Sequence, residues 1–162
     1  MNSPIRIGYG CDIHRLVEGR VLYLCNCRIP CEKGLLGHSD ADAAIHALID
    51  ALIGALALGD IGHFFPDTDP QYKDAAGDFL LKKTLENPAF KDWILGNVDL
   101  TIIAQIPRMA PHIQKMRSRL AELLNTSIDN VSIKAKTAEK LDSIGAGLAI
   151  EARCVVLLFQ KA

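Results

Sequence analysis

The segment Ala43–Leu58 is built almost wholly of Ala, Leu and Ile, and three polar residues, Asp42, His46 and Asp50, fall along it at i, i+4 and i+8. That composition predicts a helix whose apolar surface must be covered, and the spacing puts the three polar groups on one stripe. Ser39 reads as its N-cap, with Asp42 three residues on, and Gly59 ends it. The stripe has two readings. It is a solvated face on which His46 bonds Asp42 or Asp50, or it is part of a site.

The rest of the chain supplies what such a helix can pack on. Ile5–Gly10 and Val21–Cys27 read as strands separated by a turn at Glu18-Gly19-Arg20. A Pro/Asp/Gly-rich loop, Asp60–Pro70, precedes a second helix over Ala75–Glu86, which Asn87-Pro88 stops. Asn97–Gln105 alternates Val98, Leu100, Ile102 and Ala104 against Asp99, Thr101 and Ile103, the period of a strand. Beyond the loop at Pro107 and Pro111, Ile113, Met116, Leu120, Leu123 and Leu124 mark one face of a third helix. Val131–Ala135 and Ala152–Phe159 read as the last strands, and the unbroken apolar run Val155–Phe159 predicts burial on both faces. The order β-β-α-α-β-α-β-β suits an α/β (α+β sandwich) fold: a single domain over 1–162, with one mixed sheet covered by helices on one face.

Composition narrows the function classes. The 162 residues are 49% hydrophobic and 23% charged, as in ordinary globular domains, and 19 acids against 18 bases leave no basic surplus for a nucleic acid. The longest apolar stretch, Ala51–Gly59, is far short of the roughly 20 residues of a membrane span, and no targeting segment precedes the first strand. Five cysteines, an odd number, argue for reduced thiols and a cytoplasmic protein. Cys25 and Cys27 fall two apart in a strand-like run, on one face, as small apolar filler.

Four constellations can carry chemistry. Asp12-x-His14 directly follows the first strand, so carboxylate and imidazole project the same way. With His46 they make a carboxylate and two imidazoles, a donor set that suits Zn²⁺ and leaves a fourth position open, with Asp42 or Asp50 orienting His46. Gly37-His38-Ser39-Asp40 stands at the predicted start of the helix, where backbone N–H groups attract phosphate. The Asp60–Pro70 loop carries three more carboxylates and two adjacent phenylalanines, suited to polyol hydroxyls or a hydrated cation. Lys134–Glu139 leaves a strand with basic, hydroxyl and carboxylate groups, suited to phosphate and its Mg²⁺. The P-loop, dinucleotide and serine-hydrolase signatures do not occur.

Arg6-Ile-Gly-x-Gly-x-Asp12-x-His14, Gly37-His-Ser-Asp40, Asp60-Ile-Gly and Phe65-Pro-Asp-Thr-Asp-Pro70 occur in order. Gly96-Asn-Val-Asp99, Ala104-Gln-x-Pro107 and Thr137-x-Glu139-Lys140 follow. From Arg6 to about Phe159 the chain resembles the 2-C-methyl-D-erythritol 2,4-cyclodiphosphate synthase family of non-mevalonate isoprenoid biosynthesis. The resemblance implies a homotrimer with sites between subunits, acting on a small-molecule cytidine diphosphate ester, with neither nucleic acid nor membrane as partner. It implies cyclisation of 4-diphosphocytidyl-2-C-methyl-D-erythritol 2-phosphate with release of CMP.

By matching position, the resemblance implies that Asp12, His14 and His46 hold Zn²⁺ or another divalent cation. Glu139 would hold Mg²⁺ or Mn²⁺ on the diphosphate. His38 and Thr137 would stabilise the transition state, and Asp12, His14, His38 and Ser39 would touch the substrate. Asp60, Ile61 and Gly62, then Phe65, Pro66, Asp67, Thr68 and Asp69, would contact the methylerythritol. Ala104, Gln105, Ile106, Pro107, Arg108, Met109 and Ala110 would enclose the cytosine, largely through backbone groups, with Lys136, Thr137, Ala138 and Glu139 beside the phosphates. One stretch departs from the family pattern: Ala146 and Leu148 stand where many members have Arg and Glu. This implies weak binding, or none, of an isoprenoid diphosphate in the trimer-axis cavity. Two other readings remain: a zinc-dependent phosphoesterase with Asp50 or Asp67 as base, and a non-catalytic trimeric ligand-binding module.

Overall fold

A computed structural model describes residues 4–161. β1 (Ile5–Glu18), a hairpin of β2 (Leu22–Leu24) and β3 (Cys27–Ile29), and β4 (Lys33–Leu36) come first. They are followed by α1 (Ala43–Ala55), α2 (Ile61–Phe64), α3 (Gly77–Leu85) and β5 (Trp93–Ile103), then α4 (Ile113–Leu123), β6 (Val131–Lys136), α5 (Asp142–Gly145) and β7 (Ala149–Gln160). Five strands form one mixed sheet in the order β4-β1-β7-β5-β6, in which only β5 and β6 run parallel. α1 lies against β1 and β7, α4 against β6, and α3 against both helices. The mixed sheet with helices on one face is therefore as expected. No helix among the described residues is long and apolar enough to cross a membrane.

Two glycines and two alanines set how closely the layers approach. A Cβ on Gly8 would stand 1.8 Å from the Ala51 carbonyl oxygen, and one on Gly10 would stand 2.1 Å from that of Ala47. The backbone of α1 thus rests directly on β1. The core of Ile45, Leu48, Ile49, Leu52, Leu100, Ile150 and Val156 closes around that contact.

Several expectations are corrected. The first strand does not stop at Gly10; it continues to Glu18, so Asp12 and His14 lie inside it. Pairing with Ala152 and Ile150 of β7 holds that extension. The segment Val21–Cys27 is not one strand but the start of a hairpin, with Cys25 and Asn26 at φ 54° and 57° in its turn, as a two-residue turn requires. Cys25 and Cys27 therefore do not share a strand face, although both are buried and all five cysteines are free. Asp42, not Ser39, caps α1. Its fully buried carboxylate accepts from Ala44 and Ile45 N–H (both 3.1 Å) and from Cys25 (3.0 Å) and Asn26 (2.6 Å) N–H of the hairpin turn. One acid thus satisfies two orphan donors of the helix and two of the turn.

The run Val155–Phe159 is not buried on both faces. Val156 and Leu158 point into the core, while Val155 and Phe159 are 41% and 42% exposed, because helices cover only one side of the sheet. Ile7 and Tyr9 on β1 and Ile94 on β5 extend that open apolar face.

The packing of α1 on β1 gives opposite outcomes at two glycines. Gly10→Ala drives a methyl into backbone and costs about 3 kcal/mol. Gly54→Ala, whose Cβ would meet nothing closer than the Tyr9 carbonyl at 3.8 Å, gains about 0.5–1 kcal/mol of helix propensity. Urea denaturation at fixed protein concentration reads both signs.

Candidate metal centre

Asp12 and His14 are two apart on β1 and so project to the face that α1 covers. His46 stands in the first turns of α1, and the Gly10–Ala47 contact sets it directly above them. Asp12 Oδ2 lies 2.9 Å from both His14 Nε2 and His46 Nδ1, and the two nitrogens are 3.2 Å apart.

The outer nitrogens fix which lone pairs turn inward. His14 Nδ1–H donates to the Leu36 carbonyl at 2.9 Å, an atom that can only accept, so Nε2 faces the centre. His46 Nε2 lies 3.1 Å from Ser39 Oγ, which also accepts from Ala41 N–H. Two imidazole nitrogens and a carboxylate oxygen therefore converge, and bonds of about 2.0–2.1 Å in a tetrahedron would separate such ligand atoms by about 3.3 Å. The residues fit a divalent cation of the zinc type, held by three protein ligands. Burial works against ionisation of Asp12, but the hydrogen bonds and charges of His14 and His46 outweigh it and hold the carboxyl well below its ordinary range. His14 is displaced upward: burial opposes its charge, and Asp12 more than compensates.

The polar stripe is therefore neither a solvated face nor a set of orienting groups for His46. Asp42 is a buried cap. Asp50 accepts from Ile61 N–H at 2.7 Å, at the start of α2. The residue that meets the outer nitrogen of His46 is Ser39.

A cavity of 400 Å³ opens on the triad and is lined by His38, Ser39, Ile61, Gly62, Phe65, Pro66 and Asp67. Tyr72 and Leu80 line it too. Sequence reasoning missed both. Tyr72 enters through its ring contact with Phe65, 5.2 Å between centroids, and Leu80 reads simply as a core position of α3. Asp60, Thr68 and Asp69 are not among the lining residues. Asp60 caps α2 through His63 N–H (2.9 Å), and Asp69 caps the turn at Pro70–Tyr72 through Gln71 N–H (3.0 Å).

The remaining expected residues gather elsewhere in the chain. Ala104–Ala110 follows β5 and Lys136–Glu139 ends β6, two and three strands from β1, or about 10 and 15 Å at the usual strand spacing. The two segments join each other. Ala104 N–H donates to Lys136 O (2.9 Å), Lys140 N–H to Gln105 Oε1 (3.3 Å), and Thr137 Oγ1–H to Glu139 Oε1 (2.6 Å). Ala104 and Met109 are buried, whereas Ile106, Arg108, Ala110, Lys136, Thr137 and Glu139 are exposed. Glu139 offers a single carboxylate, which suits a magnesium ion bound mainly through substrate phosphates. The expected site residues thus fall in two groups, at the same end of the sheet but on different strands. Ala146 and Leu148 are exposed, at the end of α5 and before β7; Leu148 lines a separate surface cavity with Ile13 and His14, and the intervening Gly147 packs on Ile106.

The metal triad and its support should separate on titration. His46→Ala removes stoichiometric zinc binding. Ser39→Ala keeps the stoichiometry but weakens affinity about 10–100-fold, because the ring loses the partner that orients it; competition with a chelator measures both.

Comparison with known proteins agrees with this geometry. Residues 5–159 match the model of the YgbB family. A 2-C-methyl-D-erythritol 2,4-cyclodiphosphate synthase of Bacillus cytotoxicus is 54% identical over 156 residues, covering 96% of this chain and 99% of that protein. A CDP-bound synthase structure superposes with a TM-score of 0.86 at 42% identity, covering 94% of this chain and 99% of the other. The IspF–CDP complex of Plasmodium falciparum gives 0.86 at 33% identity, with all of both chains covered. On family match, identity and fold together, the chain belongs to the YgbB family of 2-C-methyl-D-erythritol 2,4-cyclodiphosphate synthases.

Proposed function

We propose that the chain, as one synthase domain over 1–162, converts 4-diphosphocytidyl-2-C-methyl-D-erythritol 2-phosphate into the 2,4-cyclodiphosphate and CMP in isoprenoid precursor biosynthesis. The observation that carries this reading is the triad: three convergent ligand atoms that open on a cavity walled by the Ile61–Asp67 segment. The relatives named above are synthases over nearly the whole chain. The phosphoesterase and binding-module readings find no such support; of the two carboxylates a phosphoesterase would use as base, Asp50 accepts from Ile61 N–H and Asp67 lines the cavity.

The reaction needs no protein nucleophile. An oxygen of the substrate's 2-phosphate bonds to the β-phosphorus, and the bond from that phosphorus to the CMP oxygen breaks, so CMP leaves with the electron pair. What the protein must supply is position. Asp12, His14 and His46 would hold Zn²⁺ or a similar cation, and Glu139 would hold Mg²⁺ or Mn²⁺. When bound, these ions supply the Lewis acidity and positive charge that let two anionic phosphates approach. His38, exposed at the cavity mouth, donates to phosphate oxygens from one side, and Thr137 does so from the other. Ile61, Gly62 and the Phe65–Asp67 turn hold the methylerythritol, and backbone groups of Ala104–Ala110 enclose the cytosine. A chain of net charge −1 carries no overall surplus of bases to set against a polyanion, a need that resident cations would meet.

The half-sites are completed between subunits of a homotrimer. The apolar strip of Ile7, Tyr9, Ile94, Val155 and Phe159 is the surface that neighbours would cover. Free thiols and the absence of a membrane-spanning helix among the described residues fit a cytoplasmic enzyme.

Phosphorus NMR of the protein with substrate, Zn²⁺ and Mg²⁺ should show a cyclic diphosphate pair and equimolar CMP; a linear phosphate product would sink the reading. His46→Ala and Glu139→Gln should each be inactive alone. Refolded together in equal amounts, they should recover roughly a quarter of wild-type turnover, since random trimers pair an intact triad with a neighbour's intact Glu139 at that frequency. No recovery on mixing would place both half-sites in one chain.

A further inference from the structure

We propose that Asp50 is a positioning residue, anchoring the cavity wall Ile61–Asp67 at a fixed distance from the metal triad; this rests on the synthase reading above. Asp50 follows His46 by four residues on the same stripe of α1. One turn of helix separates them, a rise of about 6 Å. One residue faces the triad, and the other accepts from Ile61 N–H at 2.7 Å through Oδ1. α1 thereby acts as a ruler between the cation and the wall that holds the substrate's carbon skeleton.

The wall's apolar seating at this end is incomplete. Ile61 and Phe64 pack against the core but are only partly buried, and Gly62 and His63 are exposed. Among the described residues, the Asp50–Ile61 bond is the one hydrogen bond that joins α1 to α2. Ala57 and Gly59, at φ 55° and 102°, reverse the chain so that Ile61 returns to Asp50. Inside the wall, the Asp60 cap and the Phe65–Tyr72 contact make a unit that is stiff in itself but not attached to the triad. Its far end is tied separately. Asp40 Oδ2 accepts from Gly77 N–H (2.7 Å), and Asp74 N–H donates to the His38 carbonyl (2.8 Å). The wall is thus a strap slung between Asp50 and the His38–Asp40 segment, and Asp50 sets how close Gly62 and Phe65 lie to the cation. An intramolecular cyclisation depends on that distance, because the 2-phosphate reaches the β-phosphorus only if the skeleton is held correctly.

The test compares Asp50→Ala and Asp50→Asn in the full-length, zinc-loaded protein. The asparagine carbonyl can still accept from Ile61 N–H; alanine cannot. Asp50→Ala should lose about 10–100-fold in kcat, with zinc affinity by chelator competition unchanged, and Asp50→Asn should stay within about threefold of wild type. Amide hydrogen exchange over residues 60–67 should quicken in the alanine variant alone, with α1 and β1 still protected; this readout stands whether or not the wild type makes a cyclic product. Asparagine as defective as alanine would overturn the proposal in favour of a charge or proton-transfer role. Loss of zinc from either variant, or unchanged exchange over 60–67 in alanine, would also overturn it.

Discussion

The closeness of α1 to β1 is the constraint from which the rest of this structure follows. Helices usually stand off a sheet by the length of two side chains. Here Gly8 and Gly10 offer no side chain, Ala47 and Ala51 offer only methyls, and helix backbone meets strand backbone. That contact brings His46 down to the level of Asp12 and His14, whose ligand atoms must come within about 3 Å for a cation to hold them together. A larger residue at Gly10 would lift the helix and separate the triad before it touched any ligand. The Asp42 cap serves the same end, since one buried carboxylate ties the start of α1 to the β2–β3 turn and so fixes where the helix begins.

Around this rigid corner the structure is less regular. The cavity wall after α1 contains no fully buried residue from Gly59 to Ala76 and is held by caps, aromatic edges and carboxylate anchors. Such a wall rests on the core through the partly buried Ile61, Phe64, Phe65 and Tyr72 and is placed by a few polar groups, which leaves one side of the cavity open to a polar substrate. Asp60 and Asp69 illustrate the division of labour: both are acids of the substrate loop by motif, yet each holds a local turn.

The open face of the sheet and the separation of the expected site residues bear on the same proposal. Helices cover one face only, and the other carries exposed Ile, Tyr, Val and Phe at paired positions of β1, β7 and β5. The Thr137–Glu139 end of β6 lies at the same end of the sheet as His14 but three strands away. On the homotrimer proposed above, a chain that is apolar on its uncovered face and carries further site residues at the far edge would be half of an interface and half of a site.

The residues alone specified the chemistry on offer: the Asp12-x-His14 pair, the polar stripe that carries His46, the loops that carry acids and glycines, and the fold class that can cover an Ala/Leu/Ile helix. These were legible because metal ligands, alternating strands and turn-forming residues are local patterns, and because the ordered motifs span nearly the whole chain. Folding assigned each polar group its part. Asp42, His46 and Asp50 share one stripe, and nothing in their spacing distinguishes a buried cap, a ligand and an anchor; the partners that do so, at Cys25, Asp12 and Ile61, are set by long-range packing. The extent of β1, the hairpin at Cys25 and the exposure of Val155 were hidden for the same reason. A strand's length and its buried face depend on what pairs with it and what covers it, and the apolar run Val155–Phe159 reads alike whether a helix or a neighbouring subunit lies on its second side.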